Sequence, residues 1–192
     1  MLDILKRLAY VLFLIFFIVT LLLSLFEVTI LWFHSPLNTI PFNASIREST
    51  WLYLLKQHYV TFIDIDAYTI QEKRHLLDVK RSLEEVYQLW LFLLGFVFLG
   101  FKVIAKHYQI FLYRSSILGL TVLFILLLSL FDFLENFKFL HSLVFLENTW
   151  IFPKNSLLIE LFPLHYFQEF LVLVVLQSFI LFLVLYFVNK KH

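Results

Sequence analysis

The chain has 192 residues, 61% of them hydrophobic and 20% aromatic, with a mean hydropathy of +0.88, against about 45–50% apolar residues in an ordinary soluble domain. That composition excludes a water-soluble globular domain and points to a single integral membrane domain over residues 1–192. A net charge of +1, with no basic stripe interleaved with exposed aromatics, argues against nucleic acid; the lack of cysteine excludes disulfides, thiolate zinc sites, a cysteine nucleophile and thiol–quinone chemistry.

Four apolar runs, 8–33, 86–101, 116–134 and 170–188, approach the ~20 residues that a helix needs to cross hydrocarbon. Lys6 and Arg7 precede the first, as in a signal peptide, but its apolar stretch is too long for one and no small-x-small cleavage site follows, which predicts a retained anchor. Lys102 ends the second run, where its ammonium can snorkel to the interface. The expected fold class is therefore an all-α membrane protein with four transmembrane helices and two partly helical, outward-facing interfacial segments, 34–85 and 136–169.

Orientation follows from basic density. The short pieces 1–7, 102–115 and 189–192 carry Lys6, Arg7, Lys102, Lys106, Arg114, Lys190 and Lys191. The longer pieces carry 8 Lys and Arg over a much greater length, so the density on the short set is about threefold higher, and short loops are where the positive-inside rule acts. Both termini are expected in the cytoplasm, with 34–85 and 136–169 outside.

In the first outer segment Trp51, Leu54, Leu55 and His58 recur at helical spacing, which suits a short interfacial helix acting as a lid or packing element; His34 and His58 are read as part of it, not as catalysts. The run TIQE at 69–72 is a capping box: Thr69 can accept from the Glu72 amide and Glu72 can return a bond to the Thr69 amide. The helix it starts runs through KRHLLDVK into the second span. On it His75, Asp78, Ser82 and Val86 fall near one face, so Asp78 is expected to hold one nitrogen of His75 and leave the other as a base. Lys80 lies about 140° around the helix from His75, and such charged helix ends are commonly just solvated.

In the second outer segment His141, Phe145 and Asn148 fall on one helical face, Trp150 follows as an interfacial aromatic, and Pro153 and Pro163 interrupt the helix. Glu27, Asp132 and Glu135 stand toward the outer ends of the first and third spans, either wetting a site or ending a span.

HLLDVK at 75–80 followed by a span, with FLHSLVFLENTWIFP at 139–153 and LLIELFPLHYF at 157–167, resembles the lipoprotein intramolecular transacylase family of low-GC Gram-positive bacteria, over roughly residues 8–188. Where that family carries an acidic FDP-type stretch after the tryptophan this chain has WIFPKN, so no carboxylate role is expected there. The resemblance implies a multi-pass enzyme of the bacterial cytoplasmic membrane, its site on the extracytoplasmic face. It would move the sn-2 acyl chain of a diacylglyceryl lipoprotein onto the α-amino group of the same lipoprotein's N-terminal cysteine. The implied catalytic residues are His75 and His141 as a general acid/base pair, their individual roles left open. Asp78, Lys80, Asn148 and Trp150 are the supporting residues, with Lys80 and Asn148 as candidates to stabilise an oxyanion. No cofactor or metal is implied; the partners are diacylglyceryl-modified lipoproteins and membrane phospholipid.

Three other readings compete. A serine hydrolase would use Ser82 or Ser142, but no G-x-S-x-G elbow is present. A haem protein would use His75 and His141 as axial ligands, though both fall outside the spans. A non-catalytic accessory subunit would tolerate loss of both histidines.

Overall fold

The structure is a computed structural model that describes residues 2–33, 44–55, 62–104, 107–128, 130–146 and 149–190. All regular elements among the described residues are helices: α1 (Leu2–Phe33), α2 (Ala44–Leu55), α3 (Ile70–Ile104), α4 (Tyr108–Leu128), α5 (Phe133–Val144), α6 (Leu157–Leu161) and α7 (Leu164–Asn189). Four stretches are long and apolar enough to cross a membrane, Ile4–Phe33, Ile70–Lys102, Tyr108–Leu128 and Leu157–Asn189. The protein is a multi-pass membrane protein. Within α3 the charged residues from Glu72 to Glu85 suit its first turns to water or headgroups and not to hydrocarbon.

The helices differ from the apolar runs at their ends. α3 is continuous from Ile70, so the second run is only the latter half of one long helix. α4 starts and stops earlier than the run 116–134. The chain turns before Asp132, which precedes α5, and its carbonyl accepts from the Asn136 N–H at 3.1 Å. Asp132 thus stands at the N-cap of α5 and Glu135 in its first turn, both beyond the end of α4; Glu135 pairs with Lys138 on the exposed side. Pro163 lacks an N–H and cannot continue α6, whose last bond is Phe162 N–H to the Leu158 carbonyl; α7 starts immediately afterwards.

The chain divides into two compact units. The first comprises Met1–Thr29, Gln88–Leu130 and Val172–His192. Its core is aromatic: Phe17 meets Phe101 and Phe111 edge-on at 5.4 and 5.2 Å, and Phe13 lies 5.2 Å from Phe111. Polar side chains inside it find partners, as hydrocarbon requires. Trp90 Nε1 donates to Ser24 Oγ at 2.9 Å, Thr29 Oγ1 donates to the Leu25 carbonyl at 2.6 Å and lies 3.2 Å from Gln177 Oε1, and the buried Ser115 and Ser178 hydroxyls donate to carbonyls of their own helices. Gly119 lies against the Phe182 ring, and a Cβ there would come within 2.5 Å of it. The small residue is what allows this approach.

The second unit comprises Ile30–Tyr87 and Phe131–Leu171 and contains both histidines singled out above. Helix α2 is a packing brace: Trp51, Tyr53 and Leu54 are buried. Trp51 meets Phe162 edge-on at 5.8 Å, and Thr50 Oγ1 shares a 2.8 Å hydrogen bond with the Tyr68 hydroxyl, whose burial pushes its pKa up to about 12. Residues 34 and 58 lie outside the described residues.

Gly119→Ala should force the Phe182 ring to move and cost about 1–3 kcal/mol, read as a lower thermal midpoint of the detergent-solubilised protein; an unchanged midpoint contradicts the packing described.

Candidate active site

The first turn of α3 is fixed by the capping box in both directions. The Thr69 amide donates to Glu72 Oε2 at 2.8 Å, and the Glu72 amide donates to Thr69 Oγ1 at 3.3 Å. Glu72 does more than cap. Its carboxylate is 2% exposed, also accepts from the Thr69 hydroxyl, and through Oε1 accepts the Leu158 amide at 3.0 Å. A charge this deeply buried needs several donors, and these supply them. The start of α3 is thereby joined to the start of α6, where Ser156 caps the helix by accepting the Ile159 amide. Gln71 adds a 3.4 Å bond to the Ile151 carbonyl.

One turn along α3 from Glu72, His75 enters an aromatic box. Its ring lies 4.9 Å from Phe145, 5.4 Å from Phe152 and 6.4 Å from His141, the two imidazoles being nearly parallel at 29°. His141, on α5, lies 3.9 Å from Phe137, 5.3 Å from Phe145 and 5.3 Å from Trp150. His141 Nδ1 is 2.9 Å from the Phe137 carbonyl. A carbonyl only accepts, so in the neutral ring Nδ1 bears the proton and Nε2 keeps the lone pair. His75 is 7% exposed, and its Nδ1 is buried with no hydrogen-bond partner among the described residues.

Burial among rings disfavours the imidazolium. His75 is pushed down to about 4, first by desolvation and then by the neighbouring His141. His141 is also lowered by desolvation, partly offset by the Phe137 carbonyl. At neutral pH both rings are uncharged, and their mutual repulsion opposes two protons on the pair at once.

The site residues read from the sequence separate here. His75, His141 and Trp150 come together. Asp78 does not hold His75: its carboxylate is turned to Arg81 at 3.9 Å and is exposed, because the next turn presents it to solvent and not into the box. Lys80 is buried elsewhere, with Nζ 4.5 Å from the Tyr53 ring centroid. Asn148 lies outside the described residues. Phe145 meets both histidines but not as part of a continuous helix. α5 stops at Val144, and Phe145 is extended, its amide still donating to the His141 carbonyl. Phe137 and Phe152 were not singled out. Phe137 is one turn before His141 and so was within reach of the helical pattern, whereas Phe152 arrives from an irregular stretch with no periodicity to reveal it.

The competing chemistries find little support in this geometry. Ser82 and Ser142 donate their hydroxyls to the Asp78 and Phe139 carbonyls of their own helices. The three ring separations place Phe145 beside the midpoint of the line joining the imidazoles, where a macrocycle bridging two axial histidines would extend.

The family model described as lipoprotein intramolecular transacylase Lit matches residues 4–167. An uncharacterized protein of Aquifex aeolicus (strain VF5) is 23% identical over 114 residues, 59% of this chain, and the match spans about half (52%) of that relative's length. The fold matches structures of the membrane integral lipoprotein intramolecular transacylase Lit from Bacillus cereus. One has a TM-score of 0.78 at 17% identity, with 98% of this chain and 97% of the other covered. Another, in which one histidine is replaced by alanine, has a TM-score of 0.73 at 14% identity, with 100% and 96% covered.

Two outcomes test the site as built. Glu72→Ala leaves the Leu158 and Thr69 amides without their acceptor and should cost about 2–4 kcal/mol of stability; a thermal midpoint equal to wild type contradicts the tie. Unfolded histidine takes up a proton near pH 6.5, while folded His75 resists until about 4. The unfolded state therefore binds more protons in that window. Stability is complete above about 6.5 and is lost as pH falls toward 4. His75→Gln should flatten this decline between pH 6.5 and 4, and an equal slope in both proteins rules the buried neutral imidazole out.

The match over residues 4–167 covers most of the chain and includes both histidine segments, and on that ground this protein belongs to the lipoprotein intramolecular transacylase family.

Proposed function

We propose that the protein moves the sn-2 acyl chain of a diacylglyceryl lipoprotein to the α-amino group of the same molecule's N-terminal cysteine, with His75 and His141 managing the protons. The observation that supports this best is the pair of desolvated, nearly parallel imidazoles 6.4 Å apart, one with a lone pair defined by its tautomer and the other with an unpartnered nitrogen. Donor ester and acceptor amine are already joined in one substrate, so the reaction gains effective molarity and needs no covalent acyl-enzyme.

His141 is the base. Its Nε2 takes the proton from nitrogen as the amine adds to the ester carbonyl, and the Nδ1–H to Phe137 bond stabilises the resulting imidazolium. When the tetrahedral carbon collapses, the C–N bond is kept, the bond to the sn-2 oxygen breaks, and that oxygen receives a proton from the histidine pair. The reaction is an isomerisation: one N–H is exchanged for one O–H. His75 faces the departing oxygen, and its Nδ1 gains in the complex the partner that it lacks in the free protein. The like-charge repulsion that lowers His75 keeps it neutral while His141 is protonated, so the pair handles one proton at a time. The half-buried rings of Phe137, Phe145, Trp150 and Phe152 limit the water that could hydrolyse the ester, and an amine partly desolvated there loses its proton more readily. Lys80 supports the site in this reading through the packing of α2 on α3, and Asn148 is kept as a supporting residue, whereas Asp78 has no part in the proton transfers. The basic residues of the short connecting segments favour cytoplasmic termini and an extracytoplasmic site on the bacterial membrane.

The test is expression in a bacterium that makes diacylglyceryl lipoproteins, followed by mass spectrometry of a lipoprotein's N-terminal peptide. Because mass is conserved, fragmentation must place one acyl chain on nitrogen. His75→Ala and His141→Ala should each lower this product by at least about 100-fold, the scale of general acid–base catalysis. Both chains remaining on glycerol, with the wild-type protein present in the membrane, overturns the reading; normal conversion by both variants overturns the roles of the histidines.

A further inference from the structure

Helix α5 has three unlike faces. At about 100° per residue, Phe133, Phe137 and His141 share the inward face and join the aromatic box, Phe133 being buried and Phe137 touching His141, Phe133 and Phe167. Glu135, Lys138 and Ser142 share a second, charged and polar face, with Glu135 and Lys138 paired. Phe139, Leu140 and Leu143 share a third face and are 61%, 58% and 67% exposed. Beyond the helix end Leu146 and Ile151 are likewise exposed. An exposed strip of this kind, apolar but for Asn136 and lying beside a polar one on a helix of twelve residues, is the pattern of a helix lying in the plane of a membrane interface. Its place in the chain agrees, for α5 stands between α4 and α7, both long and apolar enough to cross the bilayer.

We propose that α5 lies flat in the bilayer interface, with Phe139, Leu140 and Leu143 among the acyl chains of the leaflet and Lys138 and Ser142 toward water. The order of residues around the helix then sets the depth of the chemistry. Going from the lipid strip to the polar strip through the inward face, one meets Phe133, Phe137 and then His141. His141 sits on the headgroup side of the two phenylalanines, at the level where glyceryl ester carbonyls lie, and the phenylalanines sit at the level of the chains. On the acyl-transfer reading above, a lipid-anchored substrate approaches sideways along α5, its ester already at the height of the imidazole. The immersion of the helix stands without that reading.

The native chain has no cysteine, which makes a direct measurement simple. Single-cysteine variants Lys138→Cys, Phe139→Cys, Ser142→Cys and Leu143→Cys, all at exposed positions, carry an environment-sensitive fluorophore in vesicles of phosphatidylglycerol and phosphatidylethanolamine. Labels at 139 and 143 should be quenched by doxyl-labelled phospholipid at least severalfold more than those at 138 and 142, with iodide in the aqueous phase giving the reverse order. Equal iodide quenching at all four positions places the helix in water and overturns the proposal. Protection of 139 and 143 from both quenchers means that protein covers the strip, and this also overturns it. Neither result depends on whether acyl transfer occurs, so failure of the enzymatic reading is scored separately, in the fragmentation experiment.

Discussion

One buried carboxylate organises the histidine-bearing unit. Glu72 caps α3 through Thr69 and at the same time accepts the amide of Leu158, so the rotational setting of α3 and the entry into α6 are defined by the same two oxygens. His75 stands three positions along α3 from Glu72, about one helical turn. Any slip of the cap rotates the imidazole out of the box. Most caps satisfy one helix end; this one joins two segments that lie 86 residues apart in the chain.

The box works by what it withholds. Four aromatic side chains surround two imidazoles with polarizable but weakly hydrogen-bonding surface, so neither ring is stabilised in its charged form until a substrate arrives. The one strong partner seen among the described residues, the Phe137 carbonyl, fixes the tautomer of His141 without neutralising it. An aspartate bound to His75, as the HxxD spacing invites, would stabilise the imidazolium and make that ring more basic. The structure turns Asp78 to Arg81 instead, and the site stays uncharged.

Much of this was legible in the sequence because it is local. The capping box depends on four consecutive residues, the spans on runs of composition, and the breaks at Pro163 and near Pro153 on a missing donor. The pairing of His75 with His141 was accessible only through the family likeness, since nothing in the spacing of two residues 66 positions apart predicts contact. What escaped is what depends on side chains choosing among partners. Asp78 had both His75 and Arg81 at i±3 and took the arginine. Phe145 continued the face of His141 on paper, yet the helix ended one residue short and the ring reached the site from extended backbone. The second role of Glu72 was hidden behind its first, as the capping motif already accounted for the residue.

The unequal burial of the two imidazoles has a consequence for the fate of the proton itself. Where an imidazole is open to water, a proton captured from nitrogen exchanges with the solvent pool before it is delivered. His75 is buried but His141 is only half-buried, so a proton that His141 takes from the amine has a way out to solvent, whereas one held by His75 is shielded. Under the proposed reaction the amine's proton leaves by the more open ring and the glycerol oxygen faces the more enclosed one, so the two proton transfers need not share a hydrogen even though the acyl chain never leaves the substrate.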